Sequence, residues 1–419
     1  MLLVAAACGD DDDDNVSSTT ESTAATDDTA ADAGGEDNVA APDSGVSETQ
    51  IVLGNIFPVS SPINTGNAEA AAAIYQKYFD DYVNSRGGIH GRTIKIISVD
   101  DGFDPNKGAQ LVKKLVEEDN VLTIFAPVST FTLQNVEPYL AEQGVTVISP
   151  DGYQPESYTS EWYFPTTNFF DVQGYKIGQY VTCELGLMKV GVWSTGSYDA
   201  SKIGGDAMAK GVEECGGEVV NRFDAAFIEP DYTAPISGMR SEDPDVVISS
   251  MHPLANQQLF AAAQQQNWAP EGGFWFNSST FSGELFKTFG DFADNANVDT
   301  EFGDTVTAAD NADFIEFTEW AIDQDLTPES RSIAQLYAGF KVLVAALEHA
   351  GGDLNRETFK AALEDMDPVE LPGVVCEAID YEKGPHAGNP CLRVMKYDVG
   401  EGKFVEVEPL APAEDPGLR

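Results

Sequence analysis

Apolar and polar positions along this chain switch period again and again. Ile51-Val52-Leu53-Gly54 is a short apolar run that reads as a strand. Ala71, Ile74, Tyr75, Tyr78, Phe79 and Tyr82 then recur at helical spacing, and Arg86-Gly87-Gly88 ends that helix as a glycine cap does. The alternation predicts a strand over 94–99 and a helix from Asp104-Pro105 that turns Ala109, Val112, Leu115 and Val116 to one face. A strand over 121–125, a helix over 132–142 and a strand over 145–149 follow. After a bridge near 164–170 the rhythm restarts. Helices are expected over 171–185 and 203–214, the latter capped by Gly216-Gly217, and strands over 190–193, 219–223, 246–249 and 273–276. A long amphipathic helix carries Ile333, Leu336, Tyr337, Phe340, Leu343, Val344 and Leu347, and strand-like runs at 393–397 and 403–407 close the chain. Strands separated by helices imply crossover connections, so the expectation is an α/β protein with two doubly wound parallel-sheet lobes.

In open parallel sheets, ligands sit beyond the carboxyl ends of the strands. Two such sheets facing each other make the cleft between them the natural site, with each strand-to-helix loop a candidate wall. Composition narrows what enters it. The 419 residues carry 23 basic and 70 acidic side chains, a net charge of −47, with 42% hydrophobic and 10% aromatic residues. That balance supports ordinary cores and excludes nucleic acid as a partner, because phosphate recognition needs Lys and Arg surfaces. So acidic a surface also favours a soluble monomer. No run of 18 apolar residues exists to cross a membrane. The chain has four histidines (His90, His252, His349 and His386) and lacks HExxH, G-x-S-x-G and phosphate-loop motifs. Catalysis, a cofactor and a bound metal are therefore not expected.

The acidity is uneven. Residues 1–50 hold 13 acids and no base, and the first basic residue is Lys77. Leu2 to Ala7, followed by Cys8-Gly9, resembles the lipobox of a bacterial lipoprotein, in which the cysteine takes lipid. Residues 1–8 are thus read as a signal remnant, short and without a basic n-region, ending at a lipidated Cys8. Residues 9–48 lack Phe, Trp, Tyr, Leu and Ile and are expected to be a disordered acidic tether. This places the folded body outside the cytoplasm, lipid-anchored to the cell membrane. An even number of further cysteines in an exported protein suggests two disulfides. Cys376 and Cys391 flank a Gly- and Pro-containing loop and are paired on that ground, leaving Cys183 with Cys215. Four cysteines allow three connectivities, and spacing alone does not choose.

The stretch Asn84-Ser85-Arg86-Gly87-Gly88-Ile89-His90-Gly91-Arg92 resembles the N-x-x-G-G-I-x-G-R turn of the branched-chain amino-acid-binding proteins. Asp100-Asp101 with Asp104-Pro105, Lys114-Leu115-Val116, Ile148-Ser149-Pro150, Gln173-Gly174 and Asp231-Tyr232-Thr233 follow in the order of that family, over about 49–407. The resemblance implies a type I periplasmic-binding-protein fold. Its two lobes, 51–166 plus 299–371 and 167–298 plus 372–410, are joined by three crossing strands. It further implies capture of a small polar ligand (an amino acid, a related amide or a small organic acid) and delivery to the permease of an ABC importer. A sensor that reports to a membrane partner without transport uses the same fold and is the competing expectation.

The resemblance also implies a ligand set. Ser129-Thr130 match the loop that holds a carboxylate, although a plain helix cap uses the same residue types. Asp151-Gly152-Tyr153 stand where relatives carry small residues and a Thr; acid and ring there narrow the pocket and suit an ammonium. Tyr198 matches an aromatic that lines the second lobe. His252 and Ser278 end successive strands where relatives place ligand contacts. No acid follows Ser278 until Glu284, which separates this chain from simple leucine, isoleucine and valine binders. Phe57 and Phe302 are wall candidates. Asp171 reads as a helix N-cap.

Overall fold

A computed structural model describes residues 38–61, 68–150, 154–327, 331–383 and 388–418. The first lobe contains β1 (Gln50–Ile56), α1 (Ala68–Tyr78), β2 (Thr93–Val99), α2 (Pro105–Glu117), β3 (Thr123–Phe125), α3 (Thr130–Glu142), β4 (Thr146–Ile148), α4 (Glu156–Thr159) and β5 (Tyr163–Phe164). The second contains α5 (Phe170–Gln179), β6 (Lys189–Thr195), α6 (Asp199–Glu214), β7 (Glu218–Ala225), α7 (Thr233–Ser241), β8 (Val246–Ser249), α8 (Pro253–Gln265), β9 (Phe274–Phe276), α9 (Gly283–Lys287) and β10 (Ala296–Thr300). The chain then returns to the first lobe with α10 (Ala312–Asp323), α11 (Arg331–Ala350) and α12 (Arg356–Asp365), and ends in the second with β11 (Cys391–Asp398) and β12 (Lys403–Pro412).

The first sheet has strand order β2-β1-β3-β4-β5, parallel throughout, with Leu53 opposite Ile96 and Ile124 opposite Val147. The second runs β12-β11-β10-β9-β8-β6-β7, so its parallel part β7-β6-β8-β9-β10 repeats the first order. The antiparallel β11 and β12 extend one edge. Both faces of a parallel sheet are covered by crossover helices, which is why these strands read as continuous apolar runs. The chain passes between lobes at 165–169, 301–303 and 388–390, and the passages hydrogen-bond to one another. Asn168 Nδ2 donates to the Cys391 carbonyl at 2.7 Å, and Asn389 Nδ2 to the Glu301 carbonyl at 2.6 Å.

Local rules account for the element ends. Asp104 caps α2, accepting from the Asn106 and Lys107 amides, with Pro105 in the first turn. Asn355 and Thr358 form a reciprocal capping box on α12. Gly174 lets α5 lie against α6: a Cβ there would come within 2.3 Å of the Gly204 carbonyl oxygen. Both expected disulfides are present, Cys183–Cys215 and Cys376–Cys391.

Three expectations are corrected. The tether does not extend to residue 48. Val46 is buried, Ala41 and Val46 form an antiparallel bridge, and the buried Arg92 guanidinium donates to the Ser47, Val39 and Gly352 carbonyls. The final return to the second lobe does not begin at 372. Leu371, Val374, Val375, Ile379 and Tyr381 pack in the same core as α11, and the chain crosses at 388–390. Asp171 does not cap α5: it is a fully buried first-turn residue behind the N-cap Phe169. Cys8 and residues 1–37 lie outside the described residues.

Candidate functional site

Each sheet has a switch point, β1/β3 in the first lobe and β6/β8 in the second. There the chain leaves neighbouring strands toward opposite faces and opens a crevice at their carboxyl ends. The two crevices face each other across one cleft of about 530 Å3. Phe57, after β1, and Ala126 to Val128, after β3, wall it from the first lobe, and Thr130 at the start of α3 completes that side. Tyr198, after β6, and His252, after β8, wall it from the second. The hinge side is closed by α11 through Arg331, Gln335 and Leu336.

The first-lobe wall is held by buried polar groups. Asn55 Nδ2 donates to the Phe125 and Ala126 carbonyls, and Tyr75 Oη to the Ala126 carbonyl at 3.1 Å. Ala126 is left-handed at φ +44°, an uncommon backbone conformation for a residue with a Cβ, and these bonds hold it there. Asp101, fully buried, accepts from Ser129 Oγ at 2.9 Å and Thr132 Oγ1 at 2.7 Å, which ties the α3 entrance to the end of β2.

The lobes touch through aromatic rings. Phe131 lies 5.5 Å from Tyr198 and 5.2 Å from Phe227, and Phe103 stacks on Phe227 at 6.0 Å. Tyr198 Oη donates to Thr130 Oγ1 at 3.4 Å, and Gln134 Nε2 to Asp199 Oδ2 at 3.2 Å. His252 supports this group from behind, 4.8 Å from Phe227. Its Nδ1 accepts from the Ala255 amide as the cap of α8, so Nε2 carries the proton donated to the Phe227 carbonyl at 2.7 Å. Burial holds the imidazole below its ordinary 6.5, against the opposing effect of that carbonyl. At the hinge, Arg331 Nε donates to the fully buried Glu301 at 2.6 Å. Nearby Asp299 is also fully buried. Burial, then the negative charge of Glu301, pushes its carboxyl well above the usual 3.8.

Of the residues singled out from sequence, Phe57, Thr130, Tyr198 and His252 line the cleft. Three others do not. Ser129 stands behind the wall with its hydroxyl committed to Asp101. Ser278 is buried and donates to Gln173 Oε1 at 3.1 Å, and its neighbour Ser279 reaches the cleft instead. Phe302 packs in the first-lobe core. Asp151, Gly152 and Tyr153 lie outside the described residues. Sequence reasoning missed Phe103, Phe227, Phe281, Gln257, Arg331 and Gln335. Phe103 carried a usable signal, an aromatic side chain in a polar Asp-Asp-Gly turn just after a strand. Gln257 and Gln335 carried none, because their helices show only an amphipathic period.

The sequence profile of the family described as periplasmic binding protein matches residues 50–403. The Leu/Ile/Val-binding protein BraC3 of Rhizobium johnstonii is 25% identical over 375 residues, 85% of this chain and 94% of the relative. A branched-chain amino acid ABC transporter protein from Thermus thermophilus, solved with bound valine, superposes with a TM-score of 0.75 at 17% identity, covering 88% of this chain and 97% of that one. A solute-binding protein of an ABC transporter from Rhodopseudomonas palustris BisB5, solved with 3,4-dihydroxybenzoic acid, gives 0.74 at 17% identity, covering 88% and 99%.

Proposed function

The chain belongs to the periplasmic binding protein family, and from that premise we propose that it is an extracytoplasmic solute-binding protein. It captures an amino acid, a related amide or a small organic acid in the interlobe cleft and delivers it to an ABC importer, and it has no enzymatic activity. The observation that carries this reading is the cleft, walled from both lobes at matching switch points and crossed by three hinge passages. The lines of sequence relatives and solved structures support it, since one of each is named for branched-chain amino acids and another structure holds an aromatic acid. Cys8 anchors the chain to the membrane, and the acidic segment that follows spaces the body from it. Thr130, Tyr198 and Phe57 contact the solute, and Asp151, Gly152 and Tyr153 are the further contacts proposed from the sequence.

Ligand contacts to both lobes favour the closed arrangement, and only such differential contacts shift the equilibrium. Capture is tested by thermal denaturation of the chain, freed of carried-over ligand, against amino acids, amides and small carboxylates. A bound solute at 100 times its dissociation constant adds about 2.7 kcal/mol, visible as a rise in Tm. The rise is expected to vanish in Thr130→Ala and Tyr198→Ala. A panel that leaves Tm unchanged, or a rise untouched by both variants, contradicts binding in this cleft.

A further inference from the structure

The walls of the cleft restrict what it takes, given the solute-binding reading above. The cleft has a volume of about 530 Å3. The wall is aromatic from both lobes, with Phe57 from the first and Phe170, Tyr198 and Phe281 from the second. Flat rings accept another ring edge-on or offset, and a branched aliphatic side chain would leave much of that surface without a partner.

The polar part is built from neutral groups. Gln257 of α8 and Gln335 of α11 reach the cavity from opposite lobes, and neither amide has a hydrogen-bond partner within the protein among the described residues. Ser282 joins them from the second lobe. A primary amide offers two donors and an acceptor, so this pair satisfies a head group that both donates and accepts. Formal charges point the same way. Arg331, the one cation lining the cleft among the described residues, is ion-paired with buried Glu301. Both His252 nitrogens are engaged. Asp325 puts an acid at the exposed rim beside Glu284, whose charge is paired with Lys287, in a chain of net charge −47. An anion approaching that rim meets like charge.

We infer that the cleft selects a ligand with an aryl-sized apolar body and a polar head that is not an anion, the head being held by Gln257 and Gln335. The test is calorimetric titration of the full chain, unfolded and refolded with disulfides intact to remove bound ligand. The probes are 3-phenylpropanamide, 3-phenylpropanoate and L-leucine. The amide is expected to bind at least about tenfold tighter than either other probe. Gln257→Ala and Gln335→Ala, each checked for an unchanged Tm without ligand, are expected to weaken the amide by about tenfold and leucine by less. Leucine or the carboxylate binding as tightly as the amide overturns this selectivity while leaving solute capture intact. Amide binding unaffected by both substitutions overturns the assignment of the head group. Failure of all three probes to bind overturns the selectivity, whereas solute capture is decided by the wider thermal panel above.

Discussion

His252 shows how one residue links helix capping, interlobe contact and pH. Its neutral form is required at Nδ1, which must accept from the Ala255 amide, while the Nε2–H donated to the Phe227 carbonyl is present in either charge state. A depressed pKa means that the unfolded chain binds more protons than the folded one as pH falls below 6.5. Its contribution to stability is therefore present above 6.5 and lost as pH drops through the folded value. His252→Asn keeps a capping side chain but does not titrate. Melting temperatures between pH 7.5 and 5 are expected to fall more steeply for the parent than for the variant, and parallel profiles would contradict this account. Asp299 has the opposite sign. Its raised pKa means that the folded chain retains a proton lost by the unfolded one, so its contribution is greatest below 3.8 and declines as pH rises toward the folded value. Asp299→Asn mimics the protonated acid and is expected to gain stability over the parent progressively as pH rises above 4. Equal denaturant midpoints at pH 4 and 7 for the two proteins would refute it. Neither environment was legible in the sequence. A lone His after a strand reads equally as ligand contact or structural bond, and Asp299 acquires its burial only when β10 is enclosed at the hinge.

At the scale of elements, the sequence was most legible where the hydrophobic period was long and clean. The first four strands and the helices between them match the expected runs within a few residues, as does the long apolar face of α11. The two-residue strand β5 has too little sequence to show a period, and the return of 371–381 to the first-lobe core is a tertiary choice that local pattern does not encode. Of the site, the loops after strands were legible as walls, but which side chain of each loop faces the cleft was not. Ser129 and Thr130, or Ser278 and Ser279, differ by one position and by a hydrogen bond to a distant Asp101 or Gln173. The two disulfides sit differently in this frame. Cys183–Cys215 joins the ends of α5 and α6 inside the second lobe, while Cys376–Cys391 joins a first-lobe segment to the start of β11 across the hinge. For the separations of 32 and 15 residues, loss of either bridge is expected to cost roughly 3–4 kcal/mol in the chain-entropy account. Only the Cys376→Ser, Cys391→Ser pair is expected also to change the small-angle scattering of the folded chain, because only that bridge restrains a crossing. Equal scattering from both double variants would remove the hinge role.

For the whole molecule, the question is what holds the lobes together. Hinge-closing binders gain affinity from whatever favours the closed arrangement, whether or not it touches the solute, because apparent affinity scales with the fraction of molecules already competent to bind. In this chain the lobes meet through Phe103 and Phe131 on one side and Tyr198 and Phe227 on the other, with Phe227 taking part in two of the three ring pairs. Aromatic pairs contribute about 0.5–1.5 kcal/mol each beyond area burial, so removing two shifts the open–closed balance by roughly 1–3 kcal/mol. Phe227→Ala is therefore expected to raise the radius of gyration of the unliganded chain. It should also weaken every cleft ligand by a similar factor, on the order of 5- to 150-fold for that energy range. Phe227→Leu, which keeps apolar bulk without the ring, should fall between the parent and Phe227→Ala. The uniformity of the effect separates closure from recognition: a residue that only contacts the solute changes the ranking of ligands, whereas a clasp between lobes changes all affinities together. Scattering unchanged in Phe227→Ala, or loss confined to aryl ligands, would make Phe227 a recognition residue and leave closure to the hinge and the solute.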